Sequence, residues 1–432
     1  MKNSILSLAI FLTSTALNAQ KLDLATCLKM ADTANLTIRN AQLDVAITKK
    51  QRDGYLTARY PHLYYGGDYK YNALIPGQVV PAAIVGGPPG TYTTVQFGVP
   101  YIISNNFQIN QLLFNPQVEY GLTALKINNE IVLLQQKMTE QSVKHQVAST
   151  YYNLQALNKQ VSFVESNRTN MLKLISNMDA MVKQEMMMQT EVDKLMINKL
   201  TLDNTIESLN ATKYQLETLL KILIGMDTKT PISIDADDMI EKTILIDKSS
   251  VNYIELDLIA AQQRMNKAER RGTNMGYLPN ISFYGSYSYM YNVKPEDNYR
   301  KGINGAAVGI KVDWTLFDGL EKYHKQKENA LNAEKLANQF EQSQQQLSLV
   351  SELAKKQISV QSNALDVAKE QLKLAEKVYN QTTLQFNQGT ISSNDLITAD
   401  NALQQQQTNL VAAYIKLRQA ELDYLKSIGK IN

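Results

Sequence analysis

The sequence has almost none of the residues that build metal centres or disulfide frameworks. Its single cysteine, Cys27, and its three histidines, His62, His145 and His324, lie far apart, which excludes a disulfide staple and a Cys/His zinc site. The sequence has 44 Lys and Arg residues and 41 Asp and Glu residues, and no segment is dominated by charges of one sign. Nucleic acid is therefore not an expected partner. No Gly-rich phosphate loop, G-x-S-x-G or pair of neighbouring histidines occurs, so we expect no enzyme, no cofactor and no metal.

Long hydrophobic runs are also missing, apart from one at the N-terminus. Lys2 and the apolar stretch Ile5 to Leu17 fit a signal peptide over residues 1–19. This stretch is shorter than the roughly 20 residues that a membrane helix needs, and no later stretch reaches that length. The sequence therefore predicts an exported protein without a membrane-spanning helix. Cys27 lies well past the apolar run, which favours a buried structural thiol over a lipoprotein acceptor.

Helix breakers are absent from two long stretches of the chain. All ten prolines lie between Pro61 and Pro116 or between Pro231 and Pro295. The proline-free stretches that follow are rich in Gln, Leu, Lys, Ala and Glu, which is typical of long helices. Each stretch has one place to turn, so we expect two helical hairpins. Their expected ranges are about 116–225 and about 319–429.

Leucines recur every seven residues within both stretches. The two series are Leu195, Leu202, Leu209, Leu216 and Leu223, and Leu396, Leu403, Leu410, Leu417 and Tyr424. A strict seven-residue period predicts left-handed coiled-coil packing. Helical arms of about 65 residues, at roughly 1.5 Å per residue, would be on the order of 100 Å long, which is too long for one compact globule.

The two halves of the sequence repeat each other. Pro61, Leu63, Tyr65, Gly67, Tyr69 and Tyr71 match Pro279, Ile281, Phe283, Gly285, Tyr287 and Tyr289. Asn115 matches Asp318, and Glu191 matches Asp395. The first half carries about 14 extra residues in a Pro/Gly-rich loop between Asn72 and Asn105. This duplication predicts a first repeat over residues 20–225, an equatorial connector over 226–250 and a second repeat over 251–432.

Segments around that loop alternate between apolar and polar side chains, which predicts strands. The four expected strands are at about 62–72, 105–114, 280–291 and 305–317. The first has Leu63, Tyr65 and Tyr69 on one face and Asp68 and Lys70 on the other, and the fourth continues its apolar face to Trp314 and Leu316. Strands of about ten residues with one Tyr-rich apolar face match a transmembrane β-barrel. A soluble antiparallel sheet is the alternative.

Four strands are too few to close a barrel, and open sheet edges are not tolerated in hydrocarbon. A barrel would therefore require several copies of the chain. Three copies would supply twelve strands, an even number wide enough for an aqueous lumen.

The order of elements in this sequence resembles that of the TolC family of outer-membrane efflux proteins. A signal peptide is followed by two repeats, each with a strand, a loop, a second strand and a long helical hairpin. Trp314-Thr315-Leu316-Phe317-Asp318-Gly319 resembles the family's strand-to-helix junction, and the segment from Phe386 to Leu396 resembles its periplasmic turn. The resemblance implies a mainly α fold with a β-barrel portion. It implies a homotrimer that forms a 12-stranded barrel in outer-membrane lipid and a 12-helix periplasmic α-barrel.

The same resemblance implies a passive outer-membrane duct of a Gram-negative cell, docked by a periplasmic adaptor and an inner-membrane pump. The duct would carry drugs, lipophilic compounds or secreted polypeptides. The sequence is compatible with either a proton-driven or an ATP-driven pump. The alternative is a structural periplasmic coiled-coil protein without a pore. A secreted enzyme ranks third, because no nucleophile and base converge in the sequence.

In that family, acidic residues after the turns ring the periplasmic mouth, and Asp395 and Glu191 occupy matching positions here. Three copies of each would crowd negative charge at a constriction and favour cations. Alternatively, each acid simply begins a helix and complements its dipole. Thr190 matches a threonine of the family's latch between neighbouring helices. Phe386 and Ile391 stand where the family has Tyr and Arg, so a more apolar closure is expected.

Met186, Met187 and Met188 at the first turn, with Gly389 and Thr390 at the second, are expected at the tip that contacts the adaptor. Thioethers favour Cu(I) and would suit a copper or silver exporter. Methionines at a helical tip more often serve as adaptable packing or partner contacts.

Four charged residues on the polar strand faces are expected to line the barrel lumen and to tune its conductance. They are Asp68, Lys70, Lys311 and Asp313. Alternatively, each is an ordinary solvated charge.

Overall fold

The computed structural model describes residues 20–235 and 253–431. The signal peptide expected over 1–19 lies outside the described residues, as does most of the connector expected over 226–250. Helices dominate the described chain. They are α1 (Leu24–Ala34), α2 (Leu36–Leu56), α3 (Pro116–Lys183), α4 (Gln189–Leu223), α5 (Ile254–Met275), α6 (Glu321–Asn387) and α7 (Ser393–Ser427).

The strands form three separate sheets. They are β1 (Gln20–Lys21), β2 (His62–Tyr71), β3 (Gly77–Pro81), β4 (Tyr92–Gln96), β5 (Tyr101–Phe114), β6 (Ile232–Ser233), β7 (Asn280–Lys294) and β8 (Tyr299–Asp313). The largest sheet has the order β2-β5-β7-β8 and is antiparallel throughout. β3 and β4 form an antiparallel hairpin, and β1 and β6 form a short parallel pair.

The two longest helices begin near side-chain caps. Asn115 Oδ1 accepts the backbone N–H groups of Gln117 (2.8 Å) and Val118 (3.2 Å), and Pro116 occupies the first helical position, where its missing N–H costs nothing. In the second repeat, Asp318 Oδ2 accepts the N–H of Lys322 at 3.3 Å. Asn115 and Asp318 therefore both accept a backbone N–H near a helix start, but Asn115 lies directly before α3 and Asp318 lies three residues before α6.

The chain divides into two compact units, and the larger is built by the helical hairpins. It consists of the described parts of Met1–Val45, Val132–Ile259 and Gln339–Asn432. Its main core joins residues of α3, α4, α6 and α7. The buried leucines of this core include Leu195, Leu202, Leu372, Leu396, Leu403, Leu410 and Leu417. Six of these seven belong to the two heptad series, so the seven-residue period marks the buried seam as expected.

A second core of this unit lies around α1. Cys27 and Ala31 on α1 are fully buried against residues of α3 and α4 such as Val147 and Leu220. Burial raises the pKa of the Cys27 thiol to about 11, so the thiol stays protonated near neutral pH. Cys27 is therefore a small packing residue, as the sequence indicates.

The other unit contains the large sheet together with the helix ends next to it. It consists of Ala46–Ile131 and Ala260–Asn338. Two helical glycines allow close contact with aromatic rings: a Cβ at Gly121 would lie 2.3 Å from Tyr55 Oη, and one at Gly272 would lie 2.5 Å from Tyr120 Cγ. Small residues at these two positions let α2, α3 and α5 pack closely.

The boundaries of the fourth strand of the large sheet differ from the sequence prediction. The sequence predicts about 305–317, whereas β8 covers Tyr299–Asp313, so Trp314 and Leu316 lie beyond the strand. The pairing ends where Asp313 meets Asn280, the first residue of β7, because the preceding Pro279 has no N–H for the ladder. The remaining residues lead into α6.

The long connection of the first repeat is also more ordered than its Pro and Gly content suggests. The sequence predicts a loop from Asn72 to Asn105, whereas this segment contains the β3–β4 hairpin and the start of β5. Its base is held by Asn72, whose N–H donates to Pro100 O (2.7 Å) and whose Nδ2 donates to Val99 O (2.9 Å).

Candidate functional site

The turns of the two helical hairpins have the same backbone geometry. Both end their first helix with a residue in the left-handed region, Glu185 (φ 60°) in the first repeat and Gly389 (φ 72°) in the second. The following N–H then bonds five residues back, from Met186 to Met181 O (3.0 Å) and from Thr390 to Gln385 O (3.1 Å). This is the Schellman arrangement, which satisfies carbonyls at a helix end.

Asp395 lies at the start of α7, where it closes a capping box with Ser392. Its Oδ2 accepts the Ser392 N–H (3.1 Å) and the Ser392 hydroxyl (2.7 Å), and its own N–H donates to Ser392 Oγ (3.3 Å). The side chain is exposed. Asp395 thus has the local helix-starting role, and its exposed charge remains available to a ligand or a neighbouring copy.

Glu191 has a different environment although it is the repeat equivalent of Asp395. Its carboxylate accepts the hydroxyl of Ser393 at the start of α7 and pairs with Lys194 Nζ at 2.9 Å. The side chain is partly buried. Glu191 therefore ties the beginning of α4 to the beginning of α7, and a lysine neutralises part of its charge.

The three residues that the sequence predicts at a latch divide between surface and core. Thr190 is exposed. Phe386 is 6% exposed and belongs to the main core of the hairpins, and Ile391 packs against that core. Within one chain, these two apolar residues stabilise the hairpin ends.

The methionines of the first turn differ in their exposure to solvent. Met186 and Met188 are 72% and 75% exposed, whereas Met187 packs against the main core. Gly389 and Thr390 are exposed at the second turn. Across the part of the chain that the structure describes, no group of three or more His, Cys, Asp or Glu side chains could hold a metal ion. The tip therefore offers two exposed thioethers as a contact surface.

A buried carboxylate near the turns, Asp400, is absent from the sequence predictions. It is 4% exposed, and its Oδ2 accepts Gln404 Nε2 at 2.7 Å. Burial raises its pKa to about 6, and the Gln404 hydrogen bond opposes part of that rise. The heptad pattern of the sequence could have identified this position. Asp400 lies four residues after Leu396 and three before Leu403, and this spacing places it at a core position of the heptad.

Buried polar contacts also join α3 and α7. Asn167 Nδ2 donates to Gln407 Oε1 (2.7 Å), and Tyr414 Oη donates to Gln155 Oε1 (2.7 Å). Because each contact satisfies polar atoms at only one helix alignment, such pairs fix the register of the two helices. Periodicity alone does not identify them.

A buried ion pair lies next to these contacts on α7. Arg418 pairs with the fully buried Glu421 at 2.7 Å. The guanidinium carbon of Arg418 lies 5.3 Å from the ring centre of Tyr152 and 5.1 Å from that of Tyr414. The rings shield the pair from water and contribute cation–π attraction.

The large sheet presents two chemically different faces, and strand register keeps them continuous. Leu63, Ile109, Gly285 and Val308 are cross-strand partners, and so are Tyr65, Phe107, Tyr287 and Ala306. Tyr64, Gln108, Ser286 and Ala307 are partners on the opposite face. One face is therefore rich in aromatic and aliphatic side chains, and the other is mainly small and polar.

The four charged residues predicted to face a lumen all lie on the small, polar face. Asp68 pairs with Ser104 and Lys70 with Ile102 across β2 and β5. On β8, Lys311 Nζ forms an ion pair with Asp313 at 3.0 Å, and both side chains are more than half exposed. An exposed pair of this kind contributes little to stability.

The aromatic face contains a shallow depression of about 590 Å³. It is lined by Tyr65, Asn105, Phe107, Tyr287 and Tyr289. The Tyr65 and Phe107 ring centres are 4.9 Å apart, and Tyr65 Oη donates to Asn105 Oδ1 at 2.8 Å. These exposed rings give the face the amphipathic character of aromatic residues at a membrane boundary.

Comparison with known proteins gives a family match over part of the chain and a fold along most of it. Residues 245–430 match the family model "outer membrane efflux protein". The Campylobacter jejuni CmeC outer membrane channel is 12% identical, with a TM-score of 0.73 over 94% of this chain and 85% of that chain. The open-state Neisseria gonorrhoeae MtrE outer membrane channel is 14% identical, with a TM-score of 0.71 over 94% and 89%. The outer membrane protein VceC of Vibrio cholerae is 11% identical, with a TM-score of 0.69 over 94% and 96%.

No curated protein sequence matches the chain. At identities this low the solved structures show the fold, and they show it along nearly the whole chain. Within the described ranges, no helix has the length and apolar character needed to cross a membrane.

Proposed function

We propose that this protein is the exit duct of a tripartite efflux or type I secretion system. The proposal is supported by the match of residues 245–430 to the outer membrane efflux protein family and by a fold like that of outer-membrane channels. The protein is a homotrimer in the outer membrane of a Gram-negative cell, with its helical hairpins in the periplasm. The duct is passive and conducts drugs, lipophilic compounds or polypeptides. A periplasmic adaptor and an inner-membrane pump deliver this cargo and supply the energy.

The observation that carries this proposal is the large sheet, with its two open edges and two distinct faces. Its three internal junctions are antiparallel, so the edge strands β2 and β8 run in opposite directions. The β8 edge of one copy can therefore pair with the β2 edge of the next copy in antiparallel fashion. Three copies close a ring of twelve strands, which leaves no backbone group unpaired in hydrocarbon.

In such a ring the aromatic face contacts lipid and the small, polar face lines the lumen. Asp68, Lys70, Lys311 and Asp313 then point into water, where their charges tune conductance. Lys294 and Lys301 lie on the same face as these four residues, so positive charge is in excess there and a preference for cations must arise elsewhere in the duct.

The hairpin turns form the periplasmic mouth. Three exposed Asp395 carboxylates make a ring there that favours cations, and Glu191 contributes less because Lys194 and Ser393 already engage it. Thr190 lies at the surface between neighbouring copies, and the buried Phe386 and the half-buried Ile391 give the closing ends their shape. Met186, Met188, Gly389 and Thr390 contact the adaptor.

Conductance of the purified protein in planar lipid bilayers tests the duct and its gate together. We expect stepwise, cation-favouring channels, with lower cation preference in Asp395→Asn. Because Asp395 also caps α7, Ser392→Ala is the matched control: it breaks the capping box and keeps the charge. Reduced selectivity in Asp395→Asn alone would assign the effect to the carboxylate ring.

Two results would contradict the proposal in different ways. A protein that stays soluble without detergent and never conducts would be a periplasmic coiled-coil scaffold without a pore. Channels whose selectivity changes equally in Asp395→Asn and Ser392→Ala would keep the duct but show that Asp395 acts only through the helix start.

A further inference from the structure

The β3–β4 hairpin is unusual in combining exposure with a complete lack of charge. No Asp, Glu, Lys or Arg occurs between Lys70 and Glu119. Within residues 72–100, which include the hairpin, six large apolar side chains are nevertheless more than half exposed. They are Leu74, Val79, Ile84, Val85, Tyr92 and Phe97. Surface loops normally carry charge, so a charge-free and apolar surface of this kind marks a contact site.

The exposed apolar groups lie on one face of the hairpin and at its tip. Val79 pairs with Thr94 and Pro81 with Tyr92, so these side chains share a face, while Gln78 and Val95 lie on the opposite one. Val79 and Tyr92 are 70% and 74% exposed, whereas Val95 is half-buried. We call Val79, Pro81, Tyr92, Ile84 and Val85 the apolar hairpin face.

The hairpin has internal order but too few strands to be stable alone. The Ala82 N–H donates to Thr91 O at 2.8 Å, Ala82 is buried, and Asn72 anchors the base. A two-stranded hairpin in water is at best marginally stable, and it gains stability when its apolar face is covered. The residues described here leave that face open.

The position of the hairpin indicates what covers it. It connects the end of β2 at Tyr71 with the start of β5 at Tyr101, at the sheet end opposite the β5-to-α3 junction. β2 is the edge strand that meets β8 of the next copy in the proposed trimer. The equivalent connection of the second repeat is one short turn, Pro295–Asp297, flanked by the charged Lys294 and Arg300.

From these observations we propose that the three β3–β4 hairpins of the trimer pack their apolar faces against one another and narrow the exit of the duct. The contact is heterologous and closes by three-fold symmetry. The contacting surfaces carry no charge, so they meet without like-charge repulsion. The trimer also holds the copies at high effective concentration, so modest apolar contacts suffice. Anionic lipid headgroups would instead attract basic residues, and this segment has none.

Cysteine cross-linking tests this contact, which rests on the proposed trimeric duct. Native mass spectrometry of the purified protein first establishes the trimer, so failure of the duct proposal is recognised separately. Cys27→Ala removes the sequence's single thiol. In that background, Val79→Cys should form cross-linked dimers and trimers with a short bis-maleimide on the order of tenfold more than Gln78→Cys, whose side chain lies on the opposite face.

Other outcomes would overturn the contact. An intact trimer in which Val79→Cys and Gln78→Cys react equally would show that the hairpins are free. Protection of Val79→Cys from a soluble maleimide in lipid nanodiscs, but not in detergent, would identify lipid as the occupant. Cross-links in whole membranes to a different protein would identify a foreign partner.

A charge variant gives an independent readout in the chain that keeps Cys27. Val79→Glu places three like charges within the apolar contact, so the hairpins should separate and the single-channel conductance should rise. Gln78→Glu adds the same charge on the opposite face and should leave the conductance unchanged. Equal conductance in both variants and the unaltered protein would exclude hairpin packing at the exit.

Discussion

At the residue scale, Asp400 is the least expected feature of the helical hairpins. Coiled-coil cores accept polar residues at a cost in stability, usually in exchange for a defined register or a switch. Asp400 occupies such a core position, 4% exposed, with Gln404 as a hydrogen-bond donor. Its pKa of about 6, raised by burial, lies well above the 3.8 of an exposed aspartate. The carboxyl is therefore partly protonated at mildly acidic pH.

Asp400→Asn should stabilise the protein at pH 7.5 and lose that advantage in acid. Because the folded pKa of this acid is raised, its ionised form is penalised by folding. The penalty is complete above about pH 6 and vanishes below about pH 4, and a shift of about two units corresponds to about 3 kcal/mol. Thermal unfolding followed by circular dichroism at pH 7.5 and pH 4.5 should show the midpoint difference between variant and parent shrink as pH falls.

Asp193→Asn is the matched control for this experiment. Asp193 also accepts a glutamine amide four residues away, from Gln189 at 3.1 Å, but its side chain is exposed. The control substitution removes no buried charge, so it should change the midpoint little at either pH. A destabilised Asp400→Asn at pH 7.5 would show that the ionised carboxylate has favourable partners that outweigh its burial.

At the element scale, the duplication is visible in how the helices end. Positions 185 and 389, and likewise 225 and 429, are equivalent in the two repeats, and all four residues are in the left-handed region. Three are glycines, whereas the first turn has Glu185. A non-glycine residue in this conformation costs roughly 1 kcal/mol or more. The two repeats therefore differ in strain at otherwise identical turns.

Exchanging the two residue types should move stability in opposite directions. Glu185→Gly should stabilise the chain by up to about 1 kcal/mol, because it relieves the left-handed backbone at a helix end. Gly389→Ala should destabilise it by about 1 kcal/mol, since a Cβ there meets no neighbour and only the backbone is strained. Denaturant unfolding measures both changes. Equal effects of the same sign would show that side-chain contacts, not backbone conformation, dominate these turns.

Helices and strands whose side-chain pattern repeats over many residues can be predicted from the sequence. Proline-free stretches and leucine heptads predict the two hairpins, because a seven-residue pattern over many turns has few other solutions. Alternation predicts the strands and their faces, since a slip of one residue would reverse every side chain. The capping role of Asp395 is also available from local sequence, as Ser392 stands three residues before it.

Features that depend on contacts between distant segments are not readable in this way. The β3–β4 hairpin forms in a Pro/Gly-rich segment because its five-residue strands pair only with each other. The end of β8 is set by where β7 begins, 33 residues earlier in the register of Asn280 with Asp313. The burial of Phe386 depends on how four helices meet at the hairpin ends. None of these follows from a local pattern.

At the scale of the whole molecule, each repeat combines a sheet portion suited to lipid with a helical portion suited to water. Each repeat contributes two strands whose aromatic faces suit lipid and one helical hairpin whose leucine seam is buried. Neither the open sheet edges nor the exposed apolar sheet face is satisfied within one copy. In the proposed trimer, the edges of neighbouring copies would pair into a closed barrel and the apolar face would contact lipid.

The orientation of the sheet in the membrane can be tested with two adjacent positions on β8. Val308 is 78% exposed on the aromatic face, across from Gly285, whereas its neighbour Ala307 is across from Ser286 on the small, polar face. Val308→Lys places a charge in lipid and should cost about 2–4 kcal/mol near the bilayer centre, while Ala307→Lys places it in the aqueous lumen at little cost. Folding into lipid vesicles, scored as the yield of heat-resistant trimer on gels, should fall strongly for Val308→Lys only. If Ala307→Lys lowered the yield as much, the two faces would not separate lipid from water, and the polar face would instead be packed within the assembly.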